Sequence, residues 1–224
     1  MMPGSKVLSA AAAAVLMMSA TPGAWAGIVI NEAYGGGGNS GSTYTNDFVE
    51  LYNNTLGSID ISGYQLDYAS ATGAFTPGAA ETNFLTIVPA NTPTVPAGGF
   101  FLIQEAQGAG GTTPLPSPNL VDATPISMSG TAFKVQLLDA SQTLVDLVGV
   151  GSTASLFEGA GPAPGTSNPV SAQRIVNGVD TNNNNADFGT GSPTPGAANA
   201  VPEPSTFGLI ALGGIGSLLR RRRK

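Results

Sequence analysis

Carboxylates are almost the only side chains here that can do chemistry. The chain has no histidine and no cysteine, so Ser-His and Cys-His nucleophile pairs are excluded and the commonest zinc ligands are missing. Glu32 and Glu50 stand on two alternating apolar segments with Asp47 close by. Two carboxyl groups about 5–10 Å apart are what glycoside hydrolysis requires. No cluster of aromatic residues offers a sugar platform, and the same acids have plainer uses, hydrogen-bonding loop or strand-edge backbone or facing solvent. Glycosidase chemistry is therefore the least favoured reading, and no catalytic residue is assigned. Asp180, Asn182 and Asn184 place oxygens at alternate positions with Asp187 beyond them, as in the first half of an EF-hand calcium loop. The sixth position is Asn185 instead of glycine and the twelfth is Gly191 instead of glutamate, and Asx side chains also build ordinary turns. Calcium on these four residues is the one candidate cofactor; otherwise none is expected. Arg174 is expected to pair with Asp180 or Asp187 and pin the C-terminal part of the fold. Gly36–Gly41 fits G-x-G-x-x-G after a strand, but a phosphate site needs a helix to begin there. Ser42–Asn46 and another strand follow, so a flexible β–β loop is expected.

Charge narrows the partners. The chain has 8 basic and 14 acidic residues, a formal charge of −6. Between Gly27 and Ala200 only Lys134 and Arg174 are basic, against thirteen acids, which leaves −11. Nucleic-acid binding relies on Lys and Arg neutralising phosphates, so no nucleic-acid partner is expected.

The elements that must position these residues read as strands. Apolar positions alternate in short runs broken by Gly, Pro, Asn and Ser, with no long 3.6-residue period, the pattern of an all-β sandwich. Strands are expected at 27–33, 47–52, 59–68 with a bend at Gly63, 84–88 and 100–104. A hairpin over 133–138 and 143–148 turns through Asp139–Gln142. Within DFVELY, Val49 and Leu51 share one face while Phe48, Glu50 and Tyr52 share the other. Long connections at 35–46 and 107–128 are expected to be functional or mobile. After Gly149 the pattern fades into a Gly/Pro-rich wrap.

Both ends read as addresses. Lys6, the apolar run 7–18 and Ala24-Trp25-Ala26 make a secretory signal peptide over residues 1–26, with cleavage between Ala26 and Gly27. Residues 27–200 form the single domain. Residues 201–224 carry Val201-Pro202-Glu203-Pro204, an apolar helix at 207–219 and the basic tail Arg220, Arg221, Arg222, Arg223 and Lys224. The apolar stretch spans roughly 20 Å as a helix, short of the about 30 Å hydrocarbon core, so it suits transient membrane insertion with the basic end cytoplasmic.

This ending resembles the PEP-CTERM sorting signal, which implies recognition and removal by an exosortase-type membrane enzyme, after signal peptidase has acted at the other end. A retained single-pass tail anchor is the alternative. The strand series resembles the lamin tail domain in Ile28–Asn53, ISGYQL (61–66), VPAGGFFLI (95–103), the hairpin 133–151, and the closing SAQR (171–174), DTNNNNADF (180–188) and PTPGAAN (193–199). Phe48 and Tyr64 stand where that family often has Trp. The resemblance implies an immunoglobulin-like β-sandwich without enzymatic activity, exported to the outer envelope or extracellular matrix, where exopolysaccharide or another envelope protein is the expected partner. An accessory module for a secreted nuclease or phosphatase is the alternative function.

Overall fold

A computed structural model describes residues 27–75, 84–87 and 93–200. The expected signal peptide, the sorting motif with its apolar and basic segments, and the last part of the expected strand at 84–88 lie outside the described residues. Among the described residues no helix is long and apolar enough to cross a membrane. Twelve strands and one short helix follow in order: β1 (Ile28–Tyr34), β2 (Asn46–Asn53), β3 (Ile59–Asp60), β4 (Gln65–Ser70), β5 (Phe84–Thr86), β6 (Thr94–Val95), β7 (Phe100–Gln107), β8 (Leu120–Val121), β9 (Phe133–Leu138), β10 (Leu144–Val150), β11 (Ser171–Arg174), α1 (Asn184–Asp187) and β12 (Phe188–Gly191).

Two sheets face each other, one ordered β12-β11-β1-β2-β7-β8 and the other β10-β9-β4-β5, with β3 and β6 forming a small third sheet. Ile28, Ile30, Val49, Leu51, Phe101 and Ile103 from the first sheet meet Leu66, Phe133, Val135, Leu137, Val148 and Val150 from the second in one apolar core. This is the all-β sandwich that the alternation implied, with the immunoglobulin-like fold that the lamin-tail resemblance implied. Gly63 makes the expected bend, with φ +81°. The β9–β10 hairpin turns as expected: Asp139 Oδ1 accepts from the Ser141 and Thr143 amides at 2.8 and 2.9 Å.

A bulge decides where the first glutamate goes. Ile30 pairs with Leu51 but Glu32 with Glu50, so Asn31 is the extra residue. Strict alternation from Ile28 and Ile30 would aim Glu32 into the apolar core. One inserted residue exchanges the faces, so Ala33 joins the core and Glu32 turns to the outer face beside Glu50.

Two expectations need correction. The stretch after Gly149 is not strandless: SAQR is β11, which joins β1 to β12 inside the large sheet. The glycine-rich connection is not a loose loop either. Gly35–Gly38 are buried, and a Cβ on Gly37 would fall 1.9 Å from the Asn46 carbonyl carbon. These glycines admit close backbone packing. The two long connections bind each other, the Gly110 amide donating to the Gly38 carbonyl at 2.6 Å and Thr45 to Thr113 at 3.0 Å.

Candidate functional site

The two glutamates come together as neighbours across β1 and β2, both fully buried. Three of their four oxygens are taken by the closing segment of the chain, and Glu50 Oε1 accepts from Asn31 Nδ2 at 3.5 Å. Glu32 Oε1 accepts from Ser171 Oγ at 2.6 Å, Gln173 Nε2 at 3.0 Å and the Thr194 amide at 3.0 Å, and Oε2 from Thr194 Oγ1 at 2.9 Å. Glu50 Oε2 accepts the Gly196 amide at 2.5 Å. Asn199 then ties PTPGAAN to the Asn31 and Arg174 carbonyls, both at 3.0 Å. Burial, opposed by the Gly196 amide and reinforced by Glu32, pushes Glu50 up to about 8; burial also raises Glu32 against its hydrogen bonds. The pair anchors a strap and presents no oxygen to a substrate. Asp47 serves the same end, taking the Gly37 and Met128 amides at 2.9 Å each, with burial raising it to about 7.

The second centre is built around Arg174. On β11, Ala172 and Arg174 face inward while Ser171 and Gln173 face Glu32. Arg174 Nη2 lies 2.7 Å from Asp146 Oδ2, and Nη1 lies 3.4 Å from Asp180 and 3.5 Å from Asp187. Nε donates to the Ile30 carbonyl at 2.8 Å, and the guanidinium sits 4.7 Å from the Phe188 ring centroid. Asp146 belongs to the other sheet and also accepts the Ile30 amide at 2.6 Å, so this ion pair rivets the two sheets together. Burial pushes Asp146 up while Arg174 pulls it back. Burial would likewise lower Arg174, but Asp146 and Asp180 hold it above its ordinary value. The expected pairing with Asp180 and Asp187 is present; the shortest partner, Asp146, was missed. Its signal was an acid at a core-facing position of LVDLVGV.

The four residues expected to hold calcium have other partners in this arrangement. Asp180 Oδ1 takes the Asn182 amide at 3.0 Å in an Asx turn, and Asp187 takes the Thr181 amide and hydroxyl at 2.8 and 2.7 Å. Asn184 faces β10, accepting from the Gly149 amide and donating to the Leu147 carbonyl, both at 2.8 Å. Asn182 is exposed. The four oxygens do not converge, and a guanidinium stands where a cation would have to sit. Asp146, Glu158 and Asp180 do bring ligand atoms within 4.8 Å of one another, but around that same Arg174. Burial with Asp146 and Asp180 nearby raises Glu158 to about 8. Thermal melts in calcium and in chelator should therefore coincide; a calcium-dependent rise abolished by Asp180→Ala would contradict this.

A third acid pair was not anticipated. Glu105 on β7 and Asp122 after β8 are buried. Glu105 Oε2 accepts the Ile126 amide at 2.8 Å and Asp122 Oδ1 the Thr124 amide at 2.9 Å. Glu105 Oε1 and Asp122 Oδ2 have no other donor. Burial, opposed by the Ile126 amide and reinforced by Asp122 and Asp47, raises Glu105 to about 9.

Several acids counted toward −11 are buried, and burial raises Glu50, Glu105 and Glu158 well above the ordinary carboxylate range. Lys134, 2 % exposed, donates to Ser155 Oγ at 2.8 Å and to the Gly73 carbonyl; with Arg174 at 0 %, both cations of the domain are spent inside it.

Two open grooves among the described residues are lined without a charged side chain. One groove of about 600 Å³ is lined by Thr131, Ser152, Thr153, Thr166 and Asn185 with prolines 162 and 164. Another of about 560 Å³ lies between Tyr52–Leu56, Ala97-Gly98 and Asn177–Val179.

Comparison with known families accounts for both parts of the chain. The Lamin Tail Domain profile matches residues 21–152. The chain belongs to the Lamin Tail Domain family. A PEP-CTERM protein-sorting motif matches residues 200–224, which marks this lamin tail protein for export and exosortase sorting at the membrane. No curated protein matches the chain. A solved structure, a DUF4876 family protein from Bacteroides thetaiotaomicron VPI-5482, is similar at 12 % identity and a TM-score of 0.48, over 80 % of this chain and 73 % of that one. In this lamin tail protein β11 and β12 lie beyond the matched stretch yet complete the large sheet.

Proposed function

We propose that this lamin tail protein is a non-catalytic module that an exosortase-type enzyme releases to the outer envelope or extracellular matrix, where it binds neutral matrix polysaccharide. The observation that carries the reading is the sorting motif at 200–224, which follows directly on a strap fastened to the sandwich through Thr194, Gly196 and Asn199. The module's two cations and eight of its described acids are buried as internal anchors and rivets, while Asp60 is exposed. Its open grooves offer hydroxyl, amide and proline surface, which suits uncharged sugar chains better than phosphates or metal ions.

Co-sedimentation of the mature protein with polysaccharide from the producing cells' matrix tests this reading. Retention is expected, reduced by Thr153→Asp or Asn185→Asp, each of which puts a charge into the neutral groove. A parallel DNA titration should show no binding at low or high salt, since counterion release needs exposed cations. Salt-sensitive DNA binding with no polysaccharide retention would overturn the reading in favour of an accessory role beside a nuclease.

A further inference from the structure

Both chain ends of the described domain meet at one end of the sandwich. The Gly27 amide donates to Asn54 Oδ1 at 2.6 Å, and Asn54 Nδ2 donates to the Gly178 carbonyl at 2.7 Å. The Asn199 amide donates to Asn177 Oδ1 at 3.0 Å. Asn54, Asn177 and Gly178 line the same groove, together with Tyr52 and Leu56. Residue 27 therefore leaves toward the signal segment, and residue 200 toward the sorting segment, from the same place.

Chain length makes this a constraint. Six residues, Val201–Thr206, separate Ala200 from the apolar run that begins at Phe207. Fully extended, six residues reach about 20 Å. While the run is in a bilayer, the Asn54–Asn177 end is held next to that bilayer. The long connections at 35–46 and 107–119 belong to the other end, where β1 finishes and β2 begins.

The chemistry of the held end fits lipid. Leu56, in the turn between β2 and β3, is fully exposed at 103 %, and Val176 is 47 % exposed. Pro96 and Ala97 are exposed beside them, and Tyr52 and Phe100 are half-buried with ring centroids 4.9 Å apart. In an acidic chain, none of the groove's lining residues is an Asp, Glu, Lys or Arg. Neutral apolar side chains with tyrosine at their margin suit the headgroup boundary.

We propose that this end, with Leu56 at its tip, is a bilayer-contacting surface that rests on the membrane while the chain is still tethered by its sorting segment. The proposal rests on the reading of residues 207–219 as membrane-inserted. Contact holds the segment around Val201–Pro204 at the membrane surface, within reach of a membrane-embedded processing enzyme.

The chain's lack of cysteine allows single labels. The chain from Gly27 to Lys224 carrying Leu56→Cys or Ser40→Cys, each tagged with an environment-sensitive fluorophore, is reconstituted into phosphatidylcholine vesicles with and without lipids bearing a nitroxide in the headgroup region. Both positions are exposed, so labelling leaves the fold intact. The expected result is co-flotation of both chains, with the label at 56 quenched by about half or more and the label at 40 little affected, as burial of a few ångströms into the headgroup layer requires. Co-flotation with equal quenching at 56 and 40 overturns the contact surface while leaving the tail reading intact. Failure of both chains to float overturns the tail reading and the contact with it.

Discussion

Replacing Arg174 by methionine is expected to destabilise the domain by about 3–5 kcal/mol, because one partner of a buried ion pair is lost while the other stays buried. The methionine keeps most of the stem volume, so the effect isolates the charge. Asp146, fully buried, would face the core with no counter-ion, and the Ile30 and Val179 carbonyls would lose their donors. Against a typical total stability of about 5–15 kcal/mol, the variant should melt about 10 °C lower or fail to fold. Adding Asp146→Leu should recover part of the loss, since a buried pair replaced by apolar groups is often close to neutral. A single variant that melts like the wild type would show that the two sheets are held by the apolar core alone.

Alkaline conditions are expected to weaken this protein more than acid. Glu105, Glu50 and Asp47 titrate in the fold at about 9, 8 and 7, all above their ordinary values. The folded state therefore binds more protons than the unfolded chain across that window. Their contribution is complete below the ordinary carboxylate range and is lost as pH rises through about 7 to 9. Linkage puts the slope at about 1–3 kcal/mol per pH unit near neutrality, depending on how many of the three are protonated. Denaturant midpoints should fall steadily between pH 5 and 9. Glu105→Gln, whose amide can donate to Asp122 without titrating, should flatten that fall and raise stability at pH 9. A flat profile in the wild type would contradict the buried, protonated acids.

Particular residues show how far the sequence could be read. The Val49/Leu51 face is legible because period-two alternation has a direct physical cause, and both residues are buried in the core. Phe48 and Glu50 were correctly placed on the opposite face, but nothing local says that this face is covered. Phe48 is covered by Tyr34, Leu102 and Leu115, and the cover of Glu50 arrives 146 residues later, as Gly196. The bulge at Asn31 leaves no mark in composition, though it alone keeps Glu32 out of the core. SAQR was hard to see as a strand because its inward position carries an arginine and its outward positions hydrogen-bond to a glutamate. The DTNNNNADF stretch matches a calcium loop in spacing, yet its side chains turn to Arg174 and β10, a choice set by tertiary partners.

Intact mass of the protein recovered from envelope and extracellular material tests the central claim most directly, that this is a lamin tail module exported and then cut free of its sorting segment. The expected species begins at Gly27 and has lost Arg220–Lys224. A mass that retains that basic tail in the released protein would contradict it.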